Sequence, residues 1–168
     1  MKRFSKIQAL AAAIAILAVA ASLSARPITA NTQDSPDKKE IREYQLSTDK
    51  LTRFEGASKA VEKLFKDNPN LEQQLSAASQ NNAGPNTIAQ AAAAMEKFPQ
   101  LTAAIKPFGF SSHEYIVMTF ALANSFGYVQ AKKSSPELPL PLTVSAANAA
   151  FVAANEARVE ALLESLQQ

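Results

Sequence analysis

Apolar side chains recur at intervals of three and four residues through most of the chain beyond residue 46, and this spacing constrains the fold strongly. The clearest series is Leu51, Phe54, Val61 and Phe65, which together with the small Ser58 lies on one face of a helix. Later segments repeat the same spacing in shorter form. The pattern therefore predicts an all-α protein whose helices turn their apolar faces toward a shared core.

Capping residues and helix breakers predict where these helices begin and end. Ser47 or Thr48 is a good N-cap for the first helix, and Asn68-Pro69 ends it. Pro99 is suited to the first position of a short helix, and Gly109 to a left-handed cap. The sequence predicts a single compact bundle of about five or six helices within residues 44–168. Four of the predicted helices cover approximately residues 48–67, 70–78, 99–105 and 114–132. Another is capped by Asn86 or Thr87 and extends to about residue 98, and the last runs from Thr143 or Ser145 to about residue 166.

The segment Glu114–Lys132 is the most apolar stretch after the N-terminal thirty residues. Apolar residues occur on all its sides, so we expect a central helix that the first and last helices contact. Ser111 and Glu114 have the spacing of a capping box at its start. Gly127 lies inside it, and because glycine weakens a helix, we expect close packing of a neighbouring helix there.

The N-terminus has the order of segments found in a secretory signal peptide. Lys2, Arg3 and Lys6 precede 13 consecutive apolar residues, and small residues follow. Thirteen helical residues reach about 20 Å, short of the ~30 Å hydrocarbon core of a membrane. We expect residues 1–30 to be a cleaved signal peptide, with cleavage after Ala25 or Ala30. The expected location is the periplasm or the exterior, with membrane contact only through this segment before cleavage.

Removal of the predicted signal peptide changes the charge of the chain. The full sequence has 17 basic and 15 acidic residues, and residues 31–168 keep 13 basic and all 15 acidic residues. A net charge of −2 gives no basic footprint for nucleic acid, so none is expected as a partner. Residues 31–43 are polar with little apolar periodicity, and they predict a flexible tether before a helical domain over 44–168.

The residue types present exclude several kinds of active site. The chain has no cysteine, a single histidine and four scattered glycines. It therefore lacks thiolate sites, paired imidazoles and glycine-rich phosphate loops. His113-Glu114 begins like a zinc-protease helix, but Val117 stands where the second histidine is needed. We therefore predict no catalytic residue, no metal ligand and no cofactor, although carboxylates brought together by folding remain an alternative.

Aromatic residues concentrate where the turn PFGF meets the predicted central helix. Phe108, Phe110 and Tyr115 are the candidate binding surface, with a partner's amphipathic segment or a small apolar molecule as the occupant. The alternative interpretation is that the same aromatics form part of the core.

Three segments together resemble a known kind of protein. They are Tyr44–Leu51, Phe108–Tyr115 before a long apolar helix, and Val144–Asn148 before an amphipathic helix. The combination is similar to that of small, exported, all-helical bacterial proteins of unknown function. The resemblance implies a fold class and a location but no activity. The first hypothesis is therefore a non-enzymatic periplasmic module that binds a protein partner or associates with the envelope. The alternatives are a binder of a small apolar ligand and an enzyme that uses carboxylates.

Overall fold

The computed structural model describes residues 35–80 and 87–166. Its regular elements are eight α-helices and one 3-10 turn, Lys106–Phe108, which confirms the all-α class. The predicted signal peptide, with Ala25 and Ala30, lies outside the described residues. No helix among the described residues is long and apolar enough to cross a membrane. The helices are α1 Pro36–Glu43, α2 Thr48–Asp67, α3 Pro69–Gln80, α4 Ile88–Glu96, α5 Pro99–Ile105, α6 Ser112–Ser134, α7 Ala146–Ala154 and α8 Glu156–Ser165.

Most helix starts lie where the sequence places them, because each has a local cap. The side chains of Ser47, Thr87 and Ser145 accept hydrogen bonds of 3.1–3.3 Å from the backbone N–H three residues ahead. Such bonds satisfy N–H groups that have no partner within the helix. Pro99 occupies the first turn of α5. Gly109 has a φ of 80°, the left-handed conformation that ends the 3-10 turn.

Helix α6 is the centre of the bundle, as predicted. Its 23 residues contact α1, α4, α5, α7 and α8. Met118, Ala121 and Leu122 are fully buried along it. The predicted packing of the first long helix is different, because α2 lies chiefly against α5 and the 3-10 turn. It reaches α6 through the ring of Tyr115.

Residues 36–43 form helix α1, so the prediction of a flexible tether is wrong for this segment. Ser35 caps this helix and Pro36 begins it, so a start signal is present in the sequence. Ile41 is its buried apolar residue, which is too weak a pattern to reveal a helix. The Asp37 carboxylate accepts a 3.1 Å hydrogen bond from the Ile88 N–H at the start of α4. Tertiary contacts therefore stabilise a segment whose own pattern is polar.

The loop between α1 and α2 is fixed by one buried side chain of α7. The Asn148 Oδ1 accepts a 3.0 Å hydrogen bond from the Leu46 N–H. The Asn148 Nδ2 donates a 2.7 Å hydrogen bond to the Tyr44 carbonyl. Asn148 is only 2% exposed, so water does not replace these bonds. This asparagine joins the beginning of the described chain to its last third.

The predicted last helix is two helices, because the chain leaves helical geometry at Asn155. This residue has φ −121° and ψ 23°, and its Nδ2 donates a 2.8 Å hydrogen bond to the Phe151 carbonyl. Side-chain bonds of this kind compete with the helical ladder. Beyond the break, Arg158 makes a two-pronged ion pair with Glu55 of α2, with N–O distances of 2.5 and 2.8 Å. The break thus turns α8 toward α2.

The expectation that a neighbouring helix packs closely at Gly127 is wrong. This glycine is exposed, and no atom lies within 4 Å of where a Cβ would stand. The close approach occurs instead at Gly56 of α2. A Cβ there would lie 2.4 Å from the ring of Phe108.

We therefore expect Gly127→Ala to raise the free energy of unfolding by about 0.5–1 kcal/mol, because alanine is the better helix former and space is available. Gly56→Ala should instead lower it, because the Phe108 ring must move. Urea denaturation followed by circular dichroism measures both values. A loss of stability in Gly127→Ala would contradict the exposed position.

Candidate functional site

The predicted aromatic surface is largely part of the core. Phe110 is 3% exposed, and its ring lies edge-on to Phe54, with 6.0 Å between centroids. The ring of Tyr115 is 4.9 Å from that of Phe54 and 6.1 Å from that of Phe110. Edge-on and tilted pairs at these distances stabilise a core. Phe110 is therefore not available for an exposed binding surface, and the alternative interpretation as core is correct for it.

Phe108 and Tyr115 are each half-buried and serve the packing between α2 and its neighbours. The Phe108 ring covers Gly56, and its carbonyl accepts a 3.3 Å hydrogen bond from Arg53. The Tyr115 hydroxyl lies 3.4 Å from the Ser58 hydroxyl. Burial raises the pKa of Tyr115 above its ordinary value, so this phenol stays neutral.

The predicted capping box is half formed. The Ser111 hydroxyl accepts a 3.1 Å hydrogen bond from the Glu114 N–H, which fixes the start of α6. The Glu114 carboxylate bonds elsewhere, since it accepts a 3.1 Å hydrogen bond from the Tyr44 hydroxyl. Burial and the nearby Glu114 charge raise the pKa of Tyr44 above its ordinary value. Ser111 and Glu114 thus have structural roles between α1 and α6.

His113 pairs with a single carboxylate. Its Nε2 lies 2.6 Å from the Glu40 Oε1, and both side chains are nearly half exposed. Residues 35–80 and 87–166 contain no group of three or more histidine, aspartate or glutamate side chains placed to hold a metal ion. The pair joins α1 to α6.

A groove of about 520 Å³ lies between the C-terminal half of α6 and α7. Its α7 side consists of four alanines at helical spacing, which places their methyl groups on one face. The loop before α7 contributes Leu140, which is 44% exposed. We call this feature the α6–α7 groove. Its lining residues are Tyr128, Val129, Lys132, Lys133, Leu140, Ala146, Ala149, Ala150, Ala153 and Glu156.

Among the residues that the structure describes, one ammonium group at the α6–α7 groove has no carboxylate partner. Lys133 forms an ion pair with Glu156, which also accepts a 3.0 Å hydrogen bond from Gln130. The hydrogen bonds from Lys133 and then Gln130 lower the pKa of Glu156, so it is charged at neutral pH. The Lys132 ammonium lies 5.5 Å from the centroid of the Tyr128 ring and is exposed. The groove is therefore apolar with one net positive charge.

The loop Ser135–Leu142 positions the apolar rim beside this groove. The Tyr128 hydroxyl donates a 3.4 Å hydrogen bond to the Leu138 carbonyl, and Arg42 donates one of 3.1 Å to the Leu142 carbonyl. Both bonds fix the proline-rich loop on the bundle. Leu140 and Leu142 nevertheless remain 44% and 45% exposed. An exposed leucine that lines an apolar groove, as Leu140 does, is typical of a binding surface.

Sequence reasoning missed the α6–α7 groove. The available signal was the spacing of Ala146, Ala149, Ala150 and Ala153, at positions i, i+3, i+4 and i+7 of one helix. Alanine favours helices on buried and exposed faces alike, so the spacing alone does not reveal a groove. The lining offers methyl groups, one aromatic ring, two lysine ammonium groups and the Glu156 carboxylate.

Comparisons with protein-family models, with curated proteins and with solved structures each gave no match.

Proposed function

We propose that this protein is a non-enzymatic binding module that receives an amphipathic helix of a protein partner in the α6–α7 groove. The observation that carries the proposal is the alanine face of α7, where Ala146, Ala150 and Ala153 are exposed beside Leu140. Small side chains allow the backbone of another helix to approach closely. Docking of an amphipathic helix in an apolar groove is a recurrent mode of recognition.

The charge at the groove indicates which helices it favours. Lys132 has an exposed ammonium group, whereas the charge of Lys133 is compensated by Glu156. An acidic side chain at the edge of an incoming helix would be attracted to Lys132, and a basic one would be repelled. The proposed partner therefore has a helix with apolar residues on one face and an adjacent glutamate or aspartate.

A small apolar ligand suits this groove less well. Its volume falls in the range of ligand pockets, but such pockets bury about 70–90% of their ligand. Three of the four alanines are exposed, so a small molecule would remain open to water on one side. A helix needs to bury only one of its faces, and this favours the helix as the occupant.

Export to the periplasm or the exterior is part of the same proposal. It is supported by the basic and apolar pattern of residues 1–30. The intact mass of the protein from the periplasmic fraction should correspond to a chain without residues 1–25 or 1–30. A full-length chain retained in the inner membrane would contradict export.

Two labelled peptides test the proposed binding. Both are alanine-based helices of about 18 residues, long enough to form in solution. Each has leucines along one face; one has glutamates beside them, and the other has lysines. We expect the acidic peptide to bind at micromolar concentration and at least about tenfold more tightly than the basic one, as measured by fluorescence anisotropy.

Variants locate the binding site. Ala150→Glu places a larger, negative side chain in the groove and should weaken binding of the acidic peptide about tenfold or more. Ala93→Glu is the matched control, because Ala93 is an exposed alanine of α4 and does not line the groove. Equal binding by wild type and Ala150→Glu would overturn the proposal. Binding to vesicles of anionic phospholipid, but to neither peptide, would also overturn it in favour of a lipid surface.

A further inference from the structure

We infer that the α6–α7 groove binds helix α8 of a second copy of this chain, so that the protein forms a two-fold homodimer; this inference rests on the proposed helix-binding function. The outward face of α8 combines an apolar side chain with acidic ones, which is the combination that the groove favours. Glu160 and Glu164 are exposed on it, and Leu163 between them is half-buried because it packs in part against the core of its own chain. We call these three residues the α8 ridge.

The α8 ridge continues directly from the edge of the groove. Glu156 lines the groove and is the first residue of α8. Glu160, Leu163 and Glu164 follow it by four, seven and eight residues, which places them on the same side of the helix. Glu160 and Glu164 are exposed, so the ridge carboxylates face solvent. The ridge and the groove therefore adjoin on each copy.

This adjacency suits a closed dimer. When two copies are related by a two-fold axis, the ridge of each one meets the groove of the other, and both contacts form together. Helix α8 has 10 residues and α7 has nine, so their lengths of about 15 and 14 Å match. Helix α8 is already folded in the single chain, which avoids the entropic cost of ordering a helix on binding.

Charge complementarity is the reason for choosing a second copy as the occupant. Of the two groove lysines, Lys132 is the one with no carboxylate partner within the described part of the chain, and the ridge offers two carboxylates to it. Leu163 would face the alanine methyl groups of α7. The contact is small, so we expect a dissociation constant of about 10–100 µM and weaker association at high salt.

Charge reversal tests the inference by sedimentation velocity over about 5–200 µM protein. In a Lys132→Glu dimer, the acidic groove of each copy would meet the acidic ridge of the other. In a Glu160→Lys/Glu164→Lys dimer, the basic groove of each copy would meet a basic ridge. Each variant alone should dimerise at least about tenfold more weakly than wild type. A mixture of the two should form a heterodimer, because both of its contacts are again complementary. Lys97→Glu, an exposed reversal at the end of α4, is the control and should behave as wild type.

The outcomes separate this inference from the proposed function. Rescue in the mixture supports the ridge and groove as the interface, since a folding defect in either variant would not be rescued. A monomer at all concentrations, or a dimer insensitive to these reversals, overturns the inference. The peptide assay on Glu160→Lys/Glu164→Lys, whose groove is free, then decides the proposed function separately. Absence of acidic-peptide binding to that variant would overturn the proposed function itself.

Discussion

Replacement of Phe54 by alanine is expected to lower the free energy of unfolding by about 3–5 kcal/mol. Phe54 is fully buried in α2, and its ring contacts both Phe110 and Tyr115. Alanine would leave a cavity among these rings and would remove the aromatic contacts as well. Guanidinium denaturation followed by circular dichroism measures the change.

Phe65→Ala is the matched control, because it truncates the same side chain on the same helix. Phe65 is only half-buried, so its loss should cost about 1–2 kcal/mol. Equal costs at the two positions would contradict the placement of the aromatic core. Phe110→Ser should also destabilise the protein strongly, which distinguishes a core residue from the binding surface that the sequence predicts.

Asn148→Leu is expected to cost about 2–4 kcal/mol of stability, although leucine has a similar volume. The substitution removes both hydrogen bonds to the loop between α1 and α2. It leaves the buried Leu46 N–H and the part-buried Tyr44 carbonyl without these partners. Unpaired buried polar groups retain their full desolvation cost. Thermal unfolding followed by circular dichroism should show a lowered midpoint.

Asn68→Leu provides the comparison for this prediction. Asn68 donates one hydrogen bond to the Leu64 carbonyl and is exposed, so water replaces that bond. We expect a change of no more than about 1 kcal/mol. A mild effect of Asn148→Leu, similar to that of Asn68→Leu, would show that the loop does not depend on the buried amide.

The sequence alone predicted the fold class and most helix starts correctly. Ser47, Thr87, Ser111 and Ser145 each cap a helix, and Gly109 adopts the left-handed conformation expected of it. These features depend on atoms within three or four residues of one another, so the local sequence contains the necessary information. The central position of α6 was also predictable, because apolar residues on all sides of a helix need neighbours on all sides.

Tertiary structure decided the features that depend on distant partners. Helix α1 is stabilised by bonds from Asp37 and Glu40 to residues 51 and 73 positions away. The burial of Phe110, the exposure of Gly127 and the approach of Phe108 to Gly56 likewise depend on how helices pack. An aromatic or small residue has the same local preferences in a core and on a surface.

The α6–α7 groove shows most clearly which features follow from the local sequence and which depend on the tertiary structure. The local sequence specifies α6 and α7 as helices, and it places four alanines on one face of α7. Whether those methyl groups are covered depends on where the loop Ser135–Leu142 lies and where the chain breaks at Asn155. The loop is held by the long-range hydrogen bond from Arg42 to the Leu142 carbonyl, and the direction of α8 beyond the break by the ion pair between Arg158 and Glu55. Helix formation is thus a property of neighbouring residues, whereas an open groove is a property of residues that only folding brings together.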